Sequence, residues 1–184
     1  MKPFPSPVIR SARLELREFG PGDAELVREV MAVGELEALP PGAPSDPDDV
    51  PGIESWLAED VHRPQREGTG IQVMMLDHTQ GKIVGAIGIF HADWEVRSAE
   101  IGYGVHSKER NKGYATEALA TLARWSLTAA GLQRAWLTAI IENPASIRVA
   151  EKAGFTREGT LRRAGLEDDG LHDLAIFSLL DDEI

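Results

Sequence analysis

Hydrophobic and polar residues recur along this chain in patterns that predict its secondary structure. Residues Arg13–Phe19 alternate Leu14 and Leu16 with charged side chains, which is the period of a strand with one buried face. Lys82–Phe90 is almost continuously apolar, which indicates a strand covered on both faces. Tyr114–Ala129 places its apolar residues three and four positions apart, as an amphipathic helix does.

The other predicted elements follow from the same two periods and from the glycine, proline and aspartate residues between them. Further strands are predicted at residues 71–77, 98–105, 134–141, 155–163 and 171–180. Shorter helices are predicted from residue 24, around residues 53–61 and over residues 144–152. Few strand–helix–strand units occur in this order. We therefore expect an α/β (α+β) fold with a mixed, largely antiparallel sheet of about seven strands and helices on both faces.

The composition fits one soluble domain and excludes several classes of protein. The 184 residues are 42% hydrophobic and 27% charged, enough to bury one core, so a single domain is expected over residues 1–184. A net charge of −11 argues against binding to the phosphate backbone of nucleic acids. The longest apolar stretch is far shorter than the roughly 20 residues of a membrane span. No metal is expected, since the His–Asp pairs at 91–93 and 172–173 offer too few ligands.

Cysteine is absent from the sequence, which bears on both compartment and chemistry. The chain can form neither a disulfide framework nor a thiolate metal site, and we expect a cytoplasmic protein. An enzyme without cysteine also cannot carry an acyl group as a thioester.

Residues 98–119, SAEIGYGVHSKERNKGYATEAL, carry the strongest chemical signal in the chain. A predicted strand leads into a loop with Lys108, Arg110 and Lys112, and the loop leads directly into the predicted helix. A helix N-terminus offers unpaired N–H groups and the positive end of the helix dipole, and Gly113 lets the backbone approach a ligand closely. This arrangement suits the binding of phosphate groups. A solvated loop before an ordinary helix has the same spacing.

The same segment resembles the GCN5-related N-acetyltransferases (GNAT), the superfamily that binds acetyl-coenzyme A. Arg110-x-x-Gly113-x-Ala115 fits the superfamily's [QR]-x-x-G-x-[GA] motif. A wider match is similar to the ribosomal-protein-alanine acetyltransferase (RimJ/RimL-like) branch. The matching segments are AEIGY at 99–103, KGYATEAL at 112–119, NPASIRV at 143–149, EKAGF at 151–155 and EGTLR at 158–162.

The resemblance implies a GNAT fold and a place for acetyl-CoA as cosubstrate. In this family the fourth and fifth predicted strands, which end near Val105 and Glu142, splay apart, and the cofactor fills the gap. Val105 would pair with the pantetheine amides through its backbone, residues 110–116 would hold the pyrophosphate, and Asn143 would contact the pantetheine or brace the splay. The implied cofactor-binding residues are Val105, Arg110, Asn111, Lys112, Gly113, Tyr114, Ala115, Thr116 and Asn143.

Glu100 and Ser146 are the catalytic residues that the resemblance suggests. Glu100 lies where the family commonly has a glutamate that removes a proton directly or through water, although a strand carboxylate can equally pair with an arginine. Ser146 would donate a hydrogen bond to the leaving thiolate, or would only cap its helix. Some RimL-like proteins carry a further acidic residue after the EGTLR position. Here Arg163 is followed by Ala164 and Gly165, so that role is vacant or passes to Glu167.

The acceptor is expected to be a primary amine, and two classes of amine fit. An α-amine has a pKa of about 8 and an alkylamine one of about 10.4, so a protein N-terminus is more often ready to attack at neutral pH. The surplus of acidic residues would favour a small cationic amine, such as a polyamine or an aminoglycoside. Trp94 and Glu167 are the predicted substrate-binding residues, whereas the helical spacing of Trp56 predicts a place in the core.

Two further interpretations stay open. A catalytically silent acetyl-CoA-binding module on the same fold would keep the loop at 110–116 but would not need Glu100 or Ser146. The second is a homodimer, since apolar residues around Phe177–Leu180 are expected to be exposed.

Overall fold

One mixed sheet of eight strands organises the protein. The computed structural model describes residues 3–34, 36–167 and 169–184. Its strands are β1 (Val8–Arg10), β2 (Leu14–Glu18), β3 (Ile71–Asp77), β4 (Lys82–Asp93), β5 (Ser98–Val105), β6 (Arg134–Ile140), β7 (Thr156–Glu167) and β8 (Gly170–Leu180). They lie in the order β1-β2-β3-β4-β5-β6-β8-β7, and among these described strands only β5 and β6 are parallel neighbours.

Five α-helices within the described ranges connect the strands. Four lie close to predicted positions, and the short helix Arg63–Glu67 was not predicted. The five helices are α1 (Ala24–Ala32), α2 (Val50–Ser55), α3 (Arg63–Glu67), α4 (Tyr114–Thr128) and α5 (Pro144–Lys152). A π-helical turn, Trp56–Asp60, continues α2. None of these described helices is long and apolar enough to cross a membrane.

The predicted mixed and largely antiparallel sheet with helices on both faces is confirmed. The sheet has one strand more than expected, because β1 contains only three residues, too few to show a period-2 pattern. It pairs with β2 from Val8 opposite Arg17 to Arg10 opposite Glu15.

Two apolar clusters lie on opposite faces of the sheet because successive strand residues point to opposite sides. Val73 and Met75 of β3 belong to the cluster under α4 and α5, whereas Met74 between them belongs to the cluster under α1 and α2. Trp56 is 3% exposed and its ring lies 5.6 Å from that of Phe19, so its predicted place in the core is confirmed.

The expectation that Phe177–Leu180 forms an exposed apolar surface is wrong. Phe177 is fully buried and Leu179 is only 7% exposed. The reason is the strand order, which places β8 between β6 and β7 instead of at an edge of the sheet. Both side chains pack into the cluster under α4 and α5.

The predicted splay lies between β5 and β6. The two strands pair only from Ser98 opposite Arg134 to Glu100 opposite Trp136, and they diverge beyond that point. β6 remains fully paired with β8 as far as Ile140 opposite Leu174. The edge of β5 from Ile101 onward therefore faces a gap in the sheet instead of a neighbouring strand.

Candidate active site

The N-terminus of α4 presents unpaired backbone N–H groups beside this gap. Gly113 precedes the helix with φ = 84°, and Asn111 also has a positive φ of 63°. The Glu117 N–H donates to the Gly113 carbonyl at 3.1 Å, and no side chain caps the helix. The N–H groups of the intervening residues 114–116 thus point out of the helix end, as a ligand with phosphate groups requires.

A cavity of about 470 Å³ lies between this helix end, the start of α5 and the free edge of β5. We call it the cofactor cavity. It contains most of the predicted cofactor-binding residues, namely Val105, Arg110, Asn111, Gly113, Tyr114, Ala115, Thr116 and Asn143. Ser146, a predicted catalytic residue, also lines it. Residues that were not predicted to bind cofactor complete the lining: Tyr103, Glu109, Ala145, Arg148, Val149 and Lys152.

The charges around the cofactor cavity favour an anion. Arg110, Arg148 and Lys152 line it. Glu109 is the acidic residue among them, and Lys82 and Lys112 bind it at 2.8 and 3.0 Å. Burial would raise the pKa of Glu109, but these two hydrogen bonds outweigh burial and lower it. The carboxylate is therefore balanced by lysines and does not repel a bound phosphate.

Lys112, a predicted cofactor-binding residue, binds other residues of the protein instead of facing the cavity. Its ammonium group binds Glu109, its carbonyl accepts a hydrogen bond from Arg13 at 2.9 Å, and it does not line the cavity. Arg110 Nε donates to the carbonyl of Val105 at 3.1 Å, which ties the loop to the end of β5.

The groups that line the cavity fit the pyrophosphate of coenzyme A. Uncapped N–H groups and three cationic side chains converge there, and Gly113 adds no side chain at the entrance to the helix. A Cβ atom at Gly113 would lie 3.4 Å from Arg13 Nη2 in a backbone conformation that other residues rarely adopt. Close approach of an anion to the backbone therefore depends on glycine at this position.

A buried network fixes the start of α4 to the neighbouring strands. The Tyr114 hydroxyl donates to Asp77 Oδ2 at 2.5 Å, and the Arg13 guanidinium stacks 4.5 Å from the centre of the Tyr114 ring. Arg13 Nε also donates to Glu117 Oε2 at 2.8 Å. Asp77 is 1% exposed and accepts further hydrogen bonds from Thr79 and Gln80. Residues distant in the sequence thereby hold the anion-binding helix end in place.

Replacing Asp77 with asparagine should lower the free energy of unfolding by about 2 kcal/mol, because the amide cannot accept all these hydrogen bonds. Burial would raise the pKa of Asp77, but hydrogen bonds from Thr79, Tyr114 and Gln80 hold it well below its usual range. The carboxylate therefore contributes stability above its unfolded pKa of about 3.9, and this contribution is lost as the pH falls toward the folded value.

Urea unfolding of the Asp77→Asn variant at several pH values tests this expectation. The difference from the wild type should be full at neutral pH and should shrink below about pH 3.9. Asp181→Asn, an exposed substitution, is the control and should match the wild type throughout. A pH-independent difference for Asp77→Asn would contradict a role for the ionised carboxylate.

A second cavity of about 400 Å³ lies on the other face of the sheet, under the loop that follows α1. We call it the distal cavity. Its lining consists of Leu36, Leu39, Pro40, Pro41, Gly42, Ala43, Gln72, Ala86, Ile87, Gly88, Phe90, Gly102, Tyr103 and Gly104. None of these described residues has a charged side chain. Tyr103 lines both cavities, so the two adjoin each other along β5.

Two buried side-chain atoms among the described residues lack a hydrogen-bond partner, the Tyr103 hydroxyl and Gln72 Oε1. Burial raises the pKa of Tyr103. The phenol therefore stays protonated at neutral pH and has a proton to donate within the cofactor cavity.

Glu100 lies at the last residue pair before β5 and β6 diverge. Its Oε2 is 2.8 Å from His91 Nδ1, so among the described residues it hydrogen-bonds a histidine instead of pairing with an arginine. The Glu100 side chain is 22% exposed and that of His91 is 78% exposed, which gives the carboxylate a path to solvent. Glu100 does not line either cavity but borders Phe90, its cross-strand partner, which lines the distal one.

The two predicted substrate-binding residues lie apart from both cavities. Trp94 donates from Nε1 to the carbonyl of Gly68 at 2.7 Å, and its ring packs 4.8 Å from that of Phe4. Glu167 is exposed at the end of β7, near the tip of the hairpin. Among the described residues, no group of three or more possible ligands could hold a metal ion.

Comparison with known proteins assigns the chain to a family. Residues 13–156 match the model of the acetyltransferase (GNAT) domain, from Arg13 in the buried network to the first residue of β7. The chain belongs to the GNAT acetyltransferases. It is therefore an acyltransferase enzyme, as its motifs predict.

Two relatives of this acetyltransferase differ in substrate. It is 33% identical over 125 residues to the putative ribosomal N-acetyltransferase YdaF of Bacillus subtilis, which covers 67% of each chain. It is also 25% identical over 87 residues to a spermidine N(1)-acetyltransferase of Vibrio cholerae, which covers 47% of this chain and 50% of that protein.

A solved structure supports the branch that the sequence predicts. Mycobacterium smegmatis RimJ, in complex with CoA-disulfide, superimposes on this acetyltransferase with a TM-score of 0.81 at 26% identity. The match covers 100% of this chain and 92% of that chain. The predicted resemblance to the RimJ/RimL-like branch is confirmed, and the structural neighbour binds a form of coenzyme A.

Proposed function

We propose that this acetyltransferase transfers the acetyl group of acetyl-CoA to the α-amine at the N-terminus of a protein. The observation that carries this proposal is the distal cavity, whose described lining has no charged side chain. A polyamine or an aminoglycoside bears several positive charges, which need carboxylates when they are removed from water. A peptide N-terminus with uncharged first residues fits an apolar cavity better.

In this proposal acetyl-CoA occupies the cofactor cavity. The N-terminus of α4 and Arg110 would hold its pyrophosphate, and the free edge of β5 would hold its pantetheine arm, where Asn143 would contact the arm or brace the splay. Asn143 Oδ1 accepts a hydrogen bond from the Ser146 N–H at 3.1 Å, which fixes the start of α5 beside this path. When bound, acetyl-CoA supplies the thioester whose carbonyl carbon the amine attacks.

The residues of the chain then handle the protons. Glu100, directly or through a water molecule, takes a proton from the attacking amine, and the exposed His91 beside it connects the carboxylate to solvent. The Ser146 hydroxyl donates a hydrogen bond to the departing thiolate. Transfer is direct, since the chain has no cysteine that could carry the acetyl group first.

A panel of acceptors tests the proposed function. Purified protein and acetyl-CoA are mixed with short peptides that have a free or a blocked N-terminus, with spermidine and with an aminoglycoside, and free thiol release is followed. We expect thiol release with free N-terminal peptides that begin with uncharged residues. Their kcat/KM should be at least about ten times that for spermidine, which corresponds to a free-energy difference of about 1.4 kcal/mol. Peptides with a blocked N-terminus should give none.

Each other outcome of this panel contradicts the proposal in a recognisable way. Preference for spermidine would identify a small cationic amine as the acceptor. Acetyl-CoA binding without thiol release from any amine would identify a catalytically silent module.

A further inference from the structure

Gln72 occupies an unusual position for a polar side chain. It lies near the start of β3, a strand inside the sheet, and its side chain is 8% exposed. Its Oε1 atom has no hydrogen-bond partner among the described residues. An unpaired acceptor destabilises a folded protein, and such groups are rare in native structures. A ligand that donates a hydrogen bond would remove this cost.

The surroundings of Gln72 show where that ligand would lie. Gln72 pairs across the sheet with Gly88, and Gly88 pairs with Gly102, so this row has only one side chain. All three residues line the distal cavity. The Phe90 ring lies beside the two glycines, since a Cβ atom on Gly88 would come within 2.8 Å of it and one on Gly102 within 3.2 Å. This part of the distal cavity is therefore not filled by side chains of the row. Phe90 borders it, and Gln72 is the side chain in the row that can form a hydrogen bond.

The spacing of the strands separates Gln72 from the reacting atoms. Two strand intervals of about 4.8 Å lie between the backbones of Gln72 and Gly102, a span of roughly 10 Å. The acetyl group is proposed to lie at the free edge of β5, beyond Gly102. Gln72 is therefore too far away to touch the attacking amine and can only contact a group farther along the acceptor.

We infer that Gln72 is a specificity residue that accepts a hydrogen bond from the first peptide N–H of the acceptor, while the first side chain lies against the apolar lining of the distal cavity. This inference rests on the proposed function and names the chemistry that the distal cavity recognises. The acceptor is a peptide whose first residue is uncharged. The hydrogen bond distinguishes it from a simple alkylamine, which has no peptide group at that distance.

The test combines a variant with a modified substrate. Gln72→Met replaces the amide by an apolar side chain of similar size. The probes are the peptide Ser-Ala-Ala amide and its analogue in which an ester oxygen replaces the first peptide N–H. Gln133→Met, an exposed glutamine after α4, is the matched control.

We expect the wild type and Gln133→Met to use the ester with a kcat/KM about 10 to 100 times lower than that for the peptide, mainly through a higher KM. Gln72→Met should use peptide and ester equally, both at the lower value. Its affinity for acetyl-CoA should be unchanged. Its melting temperature should be equal to or above that of the wild type, because an unpaired buried group has been removed, whereas a structural role for Gln72 would lower it.

Two results would overturn the inference. One is a Gln72→Met variant that keeps the wild-type kcat/KM for the peptide, and the other is one that still discriminates against the ester. Neither result would affect the proposed function, because the wild type would still acetylate peptides. A wild-type enzyme that acetylates spermidine and no peptide would instead contradict the proposed function itself.

Discussion

Replacing Gly113 with glutamate should abolish the binding of acetyl-CoA. The new side chain would place a carboxylate at the N-terminus of α4, where the proposed pyrophosphate requires N–H groups, and would repel the phosphates. For the wild type, acetyl-CoA at about 100 times its Kd should add about 2.7 kcal/mol of stability and raise the melting temperature by roughly 5–10 °C. The variant should show no rise at the same concentration, and its affinity should fall at least about 100-fold.

The same helix offers a matched control. Gly131 follows α4 at its other end and has φ = 88°, close to the 84° of Gly113, and a Cβ atom on Gly131 would meet no other atom within 4 Å. Gly131→Glu therefore introduces the same backbone strain and the same charge far from the cofactor cavity. Its melting temperature without ligand should fall, but acetyl-CoA should still raise it. An undiminished rise in Gly113→Glu would contradict the assignment of the helix end to the cofactor.

Replacing Glu100 with glutamine should lower kcat at least about 100-fold, the usual contribution of a general base, while the affinity for acetyl-CoA stays the same. Glutamine keeps the size of the side chain and can still hydrogen-bond His91, but it cannot take a proton from the amine. Steady-state kinetics with a peptide acceptor measures kcat, and the ligand-dependent rise in melting temperature reports on cofactor binding separately.

Glu95→Gln is the control for Glu100→Gln, because Glu95 is an exposed carboxylate in the turn between β4 and β5. It should have the kcat of the wild type. A Glu100→Gln variant with wild-type kcat would remove Glu100 as the base. If Glu100→Gln lost affinity for acetyl-CoA and activity in equal measure, the carboxylate would support the structure of the cofactor cavity and would not transfer protons.

The parts of this molecule that depend on local patterns could be predicted from the sequence. Strand alternation and helical spacing predict the core elements because the two apolar clusters are built from those same residues. The helix end at Gly113 is predictable because its loop, glycine and helix are contiguous in the chain. The splay followed only from the family resemblance, since no local pattern records where two strands stop pairing.

Features that depend on contacts between distant segments could not be predicted. The distal cavity combines a loop at residues 36–43 with Gln72 and with β5, and Gln72 stands among the apolar residues that precede Asp77 in β3. The family resemblance places Lys112 among the cofactor-binding residues, but no local pattern shows that its ammonium group binds Glu109. Phe177–Leu180 looked exposed because strand order, which places β8 inside the sheet, is not a property of the segment itself.

Tyr103 lies between the two cavities, and this position affects how the two substrates can bind during turnover. The cofactor cavity and the distal cavity open on opposite faces of the sheet and adjoin along a single strand. With acetyl-CoA in one and the acceptor in the other, neither molecule obstructs the entry of its partner. Both can be held together in one ternary complex. In the proposed function, the acetylated chain end and coenzyme A would leave on opposite sides of the sheet, and a large folded acceptor would not block release of coenzyme A.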